Sequence, residues 1–193
     1  MEAYKAYYQY LMRRSALSLA VRSFFVRDFV DQFHGKVLDI GCGIGEFLER
    51  YPNSVGIDIN PYLVLHCQKK GFKANLGDIC HLPYADNSFD GILISNVIEH
   101  LANAEEAVQE AVRILKPGGI LGLSCPYEAG FRHDPTHVRM FRKADLQRLA
   151  QNCQLKVKKI YSFPWGGGVL GKLLYFYELR AIFEKSKKGS SIH

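Results

Sequence analysis

The chain has 193 residues, 48% of them hydrophobic, with 25 Lys and Arg against 19 Asp and Glu. That length suits one domain of about 100–200 residues, and the apolar share is ordinary for a globular protein with one core, which argues against a disordered or fibrous chain. The net charge of +6 leaves two readings open, a solvated basic face and an anionic partner such as nucleic acid, phosphorylated metabolite or acidic membrane surface. The five cysteines (Cys42, Cys67, Cys80, Cys125 and Cys153) form no C-x-x-C pair and are odd in number, which argues against a disulfide framework. No signal-type apolar run opens the sequence and no stretch reaches the ~18 apolar residues of a membrane span, so a soluble cytoplasmic protein is expected.

From Tyr4 to Phe33, apolar residues such as Leu17, Val21, Phe24, Phe25 and Phe29 recur at helical spacing, giving an N-terminal helical segment over 1–35. Short apolar runs at 36–40, 54–57, 72–76, 91–95 and 120–124 read as buried strands, with helices at 45–51, 61–70 and 104–115 between them. This alternation predicts an α/β fold, a doubly wound and mostly parallel sheet with helices on both faces. Pro61 suits the first turn of its helix, and Lys116-Pro117-Gly118-Gly119 reads as a helix stop followed by a turn. Beyond Cys125 the spacing predicts a His-, Arg- and Asp-rich loop over 126–140, a helix over 143–152 and a strand over 155–161. The glycines of Trp165-Gly166-Gly167-Gly168 then interrupt the chain. An aromatic helix over 169–183 and a disordered tail over 185–193 are expected to follow within the same domain, with 36–162 as the α/β unit.

Chemistry concentrates at the strand ends. Val37-Leu38-Asp39-Ile40-Gly41-Cys42-Gly43-Ile44-Gly45 is a strand running into a glycine turn and a helix, where the backbone can approach a ligand closely. The spacing G-x-G-x-G differs from the dinucleotide pattern G-x-G-x-x-G, whose last place is taken here by Glu46. A glutamate at that helix mouth would repel a pyrophosphate and counts against an NAD oxidoreductase, whereas Asp39 suits a ligand that brings positive charge. Asp58 lies 19 residues beyond Asp39, near the ~20 at which an acid meets a ribose in nucleotide-binding sheets. Gly77-Asp78-Ile79 places a third acid after the third strand. Each acid alone also fits a helix cap or turn, but three at the ends of successive parallel strands point to one crevice.

With these residues the sequence resembles the class I, Rossmann-like methyltransferases that use S-adenosylmethionine (SAM). The resemblance runs from about 36 to 126 and includes Asn96-Val97-Ile98-Glu99-His100-Leu101 and Leu115-Lys116-Pro117-Gly118-Gly119. It implies SAM as cofactor and S-adenosylhomocysteine as product. Asp39, Gly41, Cys42, Gly43 and Gly45 would form the first motif, its backbone holding the methionine part. Asp58 would bind the ribose, Ile59 flank the adenine, Asp78 and Ile79 meet its edge, and Asn96 contact the methionine ammonium group through its backbone. Asp134-Pro135-Thr136-His137-Val138-Arg139 resembles a segment of small-molecule and glycan-modifying members. A methyl transfer to O, N or C of a small acceptor follows as the expected function, with sugar, lipid-linked and quinone-like compounds in view. The alternatives are a non-catalytic SAM-binding partner or regulatory subunit, and an RNA or protein methyltransferase, although no RNA-binding module is visible. His137 and His100 are the candidates for catalysis by proton removal. His133 and His137 stand four apart like metal ligands, but Pro135 between them argues against a regular helix, and no metal is expected. Either a monomer or a homodimer, with peripheral membrane contact as an option, fits the sequence. The family closes its sheet with an antiparallel pair of strands, and here the glycine run predicts a missing or displaced last strand.

Overall fold

A computed structural model describes residues 1–164 and 177–187, with the backbone alone at 16–20. The chain opens with α1 (Glu2–Met12) and α2 (Ala16–Val30), then alternates β1 (Val37–Ile40), α3 (Glu46–Arg50), β2 (Ser54–Asp58), α4 (Pro61–Lys69) and β3 (Ala74–Leu76). After a loop come β4 (Phe89–Ser95), a 3-10 turn at Ile98–His100, α5 (Ala104–Ile114), β5 (Leu115–Pro126), α6 (Glu128–His133), α7 (Lys143–Asn152), β6 (Leu155–Phe163) and β7 (Glu178–Lys185).

Among the described residues the strands form one sheet in the order β3-β2-β1-β4-β5-β7-β6. The first five are mutually parallel, and β7 runs antiparallel to both β5 and β6. All four residues of β1 are buried, as expected of a central parallel strand covered on both faces. On one face, α5 presents Ala104, Ala107, Val108, Ala111 and Ile114 at helical spacing to Leu38, Ile92, Ile94 and Leu121. On the other, Phe29 of α2 and the following Phe33 join Phe47, Val37, Leu93 and Ile182. Two glycines make room for those rings: a Cβ at Gly91 would fall 2.5 Å from the Phe33 ring, and one at Gly122 2.9 Å from it. Helix starts follow the caps in the sequence, with Asn60 Oδ1 accepting from the Tyr62 N–H ahead of Pro61, and Asn103 Oδ1 from the Glu106 N–H.

The fold class is therefore the one expected, and the corrections lie in the C-terminal third. The last strand is present: residues 178–183 of the expected helix are β7, which fills the place between β5 and β6. The remainder of that helix, 169–176, lies outside the described residues, as does 188–193 of the expected tail. Lys185 ends β7 and donates to the carbonyls of Val112 and Leu115, where α5 meets β5. β5 also begins earlier than expected. Lys116-Pro117-Gly118-Gly119 belongs to the strand, with Phe89 opposite Leu115 and a register shift before Gly91. The expected loop at 126–140 contains the short α6. No helix of the described residues is long and apolar enough to cross a membrane.

Candidate cofactor and acceptor site

The loop from β1 to α3 turns on three glycines with positive φ: Gly41 (+72°), Gly43 (+56°) and Gly45 (+84°). A Cβ at Gly41 would lie 2.4 Å from Val97 Cγ2, whereas one at Gly43 meets nothing within 4 Å, so Gly43 borders open space on the ligand side. Asp58, at the end of β2, accepts from the Gly43 N–H (3.0 Å) through one oxygen and from the Asn60 N–H (2.8 Å) through the other. The first and second motifs are thereby tied together by one carboxylate. Burial raises its pKa in spite of those two bonds.

Asp39 is buried and its carboxylate makes no hydrogen bond among the described residues. Burial, with Asp58 and Glu46 nearby, pushes it up to about 8. Glu46 is itself held by Arg22 of α2, whose Nε lies 2.8 Å from both carboxylate oxygens. A buried carboxylate with no partner among the described residues, and two further acids beside it, fit a ligand carrying a sulfonium and an ammonium group, as SAM does.

At the β2 end Ile59 is 53% exposed, an apolar side chain facing outward where an adenine ring would be flanked. Asp78 Oδ1 accepts from the Cys80 N–H (2.9 Å). Ile79 packs into the core, while its own N–H has no partner among the described residues and is available to a ring nitrogen. Cys42 is buried; its side chain faces Gly56, where a Cβ would meet its Sγ at 2.7 Å, so only its backbone suits a ligand. α1 lies beside this cleft, with Tyr8 stacked on Tyr62 and Asn60 Nδ2 donating to the Tyr4 carbonyl.

Asn96 follows β4 with φ +53°, a conformation that asparagine tolerates better than most residues. Its Nδ2 donates to Glu178 Oε1 (2.8 Å), and Glu178 Oε2 accepts from Arg180 (2.7 and 3.0 Å). Arg180 is 1% exposed; it also donates to Asp28 (2.8 Å) and to the Phe25 carbonyl, with the Phe163 ring 3.9 Å from its guanidinium carbon.

The expected acceptor-side residues come together as well. The Glu99 carbonyl accepts from the N–H groups of Val138 (2.8 Å) and Arg139 (3.2 Å), pinning the 134–139 segment on the 3-10 turn. The His100 and His137 rings lie 4.7 Å apart. His137 Nδ1 donates to the Phe131 carbonyl (2.9 Å), leaving Nε2 toward Glu99 Oε1 at 3.9 Å and Asp134 Oδ2 at 4.0 Å. Glu99 is 1% exposed and neither of its oxygens has a hydrogen-bond partner among the described residues. The sequence reading left out Glu99, Arg22 and Asp134. For Glu99 the available signal was an acid set between Ile98 and His100 in a block otherwise assigned to the cofactor. A separate cavity of about 660 Å³ opens beside β6, lined by Tyr127, Arg142, Lys159 and Tyr161 among others, and none of the expected site residues borders it.

The strand order and glycine turn are those of the class I, Rossmann-like methyltransferase fold. Residues 38–123, a little under half of the chain, match the methyltransferase domain family, and family and fold together imply SAM as cofactor. The chain is 36% identical over 101 residues to the sterol 24-C-methyltransferase of Schizosaccharomyces pombe, 46% of this chain and 27% of that protein. A probable SAM-dependent methyltransferase of Mycolicibacterium smegmatis is 28% identical over 145 residues, 69% of this chain and 56% of that one. The chain thus spans about a quarter to just over half of these relatives. In fold it resembles a SAM-dependent methyltransferase from Archaeoglobus fulgidus (TM-score 0.73, 23% identity, covering 87% of this chain and 95% of that one). The Haloferax volcanii putative methyltransferase complex with the Trm112 activator gives a TM-score of 0.73 at 17% identity, covering 87% and 92%.

Proposed function

We propose that the chain binds SAM across the carboxyl ends of β1, β2 and β3 and transfers its methyl group to a small-molecule acceptor. The observation that carries this reading is the partnerless buried Asp39 beside the glycine turn, with Asp58 and the exposed Ile59 one strand over. SAM supplies the reactive methyl on a sulfonium; the chain's work is to orient it and exclude water. Asp39 balances the ligand's positive charge, and the Gly41–Gly43 backbone holds the methionine part. Asp58 receives the ribose hydroxyls on lone pairs left over from its two backbone bonds, and Asp78 with the Ile79 N–H reads the adenine edge. Glu178 holds Asn96 in place for its backbone contact with the ammonium group. His100 and His137, past the end of β4, are placed to meet the acceptor and to take its proton where one must leave. Sterol C-methylation by the Schizosaccharomyces pombe relative supports a small acceptor, since it shows this domain type acting on one.

Calorimetric titration with SAM, S-adenosylhomocysteine and NAD tests the reading. Micromolar binding of the first two and none of NAD is expected. Absence of binding by either SAM or its product would refute the cofactor assignment.

A further inference from the structure

Glu99, His100 and His137 each bring one ligating atom to a common point, with these atoms within 4.8 Å of one another. The tautomers of both rings follow from their partners. His137 donates from Nδ1 to the Phe131 carbonyl. His100 Nδ1 lies 3.1 Å from Thr136 Oγ1 and 3.3 Å from the Thr136 carbonyl. Thr136 Oγ1 gives its own proton to Asp134 at 2.6 Å, so toward His100 it can only accept. Both rings therefore carry their proton on Nδ1, and each Nε2 keeps a lone pair with no hydrogen-bond partner among the described residues. An imidazole held through its far N–H by a main-chain carbonyl is the arrangement that orients metal-ligating histidines.

Around His137 Nε2 lie acceptors with no donor beside them among the described residues. Glu99 is buried with both oxygens unpartnered, and Asp134 Oδ2 lies 4.0 Å from His137 Nε2. The 3.9 Å between His137 Nε2 and Glu99 Oε1 is too long for a hydrogen bond, and close to the separation of two donors about 2.0–2.2 Å from a shared ion. A bridging water has two hydrogens to offer and cannot satisfy two imidazoles and two carboxylates at once. A cation satisfies them all.

We propose that Glu99, His100 and His137, with Asp134 beside them, bind a divalent transition-metal ion. Two neutral imidazoles and a carboxylate suit Zn²⁺, Fe²⁺ or Co²⁺ and disfavour Mg²⁺ and Ca²⁺, which take all-oxygen sets. Three protein donors leave a coordination position for an oxygen of the acceptor; that part rests on the methyltransferase reading, while ion binding does not. With an ion in place the two histidines serve as ligands, and the ion positions the acceptor.

The test is titration of the chelator-stripped full chain with Co²⁺, read by its visible absorption and by metal analysis, with Zn²⁺ and Mg²⁺ as competitors. One Co²⁺ per chain is expected, displaced by Zn²⁺ and unaffected by Mg²⁺. Glu99→Gln and His137→Gln should each weaken binding more than tenfold, and Thr136→Val, which removes the hydroxyl that accepts from His100 Nδ1, by ~10-fold or more. S-adenosylhomocysteine affinity, measured on the same samples, should stay within a few-fold and so reports folding and the cofactor site separately. If Glu99→Gln does not fold, His137→Gln and Thr136→Val carry the test. Wild-type binding no tighter than that of the folded variants would overturn the proposal and leave solvent as the bridge.

Discussion

Replacing Asp39 by Asn should make the protein more stable and a poorer binder of SAM. Asp39 ionises near 3.8 in the unfolded chain and at about 8 in the fold, where burial, Asp58 and Glu46 oppose its charge. The unfolded state therefore loses this proton first, and the side chain's contribution to stability is complete below pH 4 and drains away as pH rises toward 8. At pH 7 the solution stands about three units above the ordinary value, which at ~1.4 kcal/mol per unit costs the fold roughly 4 kcal/mol. An asparagine escapes this but leaves a buried amide unpaired at about 1–3 kcal/mol, for a net gain of about 1–3 kcal/mol. In a domain of this size that is a rise in Tm of about 2–4 °C per kcal/mol. Melting curves from pH 4 to 9 should show the gain growing up to about pH 8 and then levelling. SAM binding should change in the opposite sense. The wild type must give up the proton to meet the sulfonium and ammonium, so its affinity should climb by up to ~10-fold per pH unit until about 8. The variant should be flat with pH and at least ~10-fold weaker at pH 8. A variant no more stable than wild type at pH 8, or one whose SAM affinity follows the wild-type pH curve, would refute the charge assignment.

Asp58→Ala should weaken SAM by ~10-fold or more, the loss of about 1.4 kcal/mol, with an unchanged far-ultraviolet circular dichroism spectrum. Gly41→Ala forces a side chain into φ +72° and 2.4 Å from Val97 Cγ2, so both Tm and SAM affinity should fall, as differential scanning fluorimetry with and without ligand would show. Arg180→Met leaves Glu178 and Asp28 without their buried partner and should cost about 3–5 kcal/mol in urea unfolding.

The first five strands were legible because each contains a short apolar run between turn residues, and β1, β2 and β4 are buried along most of their length as strands covered on both faces must be. The nearness of Asp39 and Asp58 was legible for a related reason: parallel strands deliver their ends to one edge. β7 was hidden. Its Glu178 and Arg180 carry no local pattern, and only the fold shows that they satisfy one another, Asn96 and Asp28 inside the molecule. The glycines before it suggested a break in the sheet, and the flanking aromatics suggested a helix. The pairing of Arg22 with Glu46 and the meeting of Glu99 with His137 join residues 24 and 38 positions apart, and no local pattern announces either. α6, six residues long, carries too little periodicity to be read.

The place of β7 sets an order on the birth of the site. The strand that follows β6 in the chain is inserted inside it, against β5, and its Glu178 reaches across to Asn96. A ribosome that has delivered all five parallel strands has therefore made the glycine turn and the strand-end acids but not yet the residue that holds Asn96. Until about residue 180 has emerged and threaded between its neighbours, Asn96 has no Glu178 to hold it, and a chain stopped short of that point would carry every recognisable motif and still lack this buried bond.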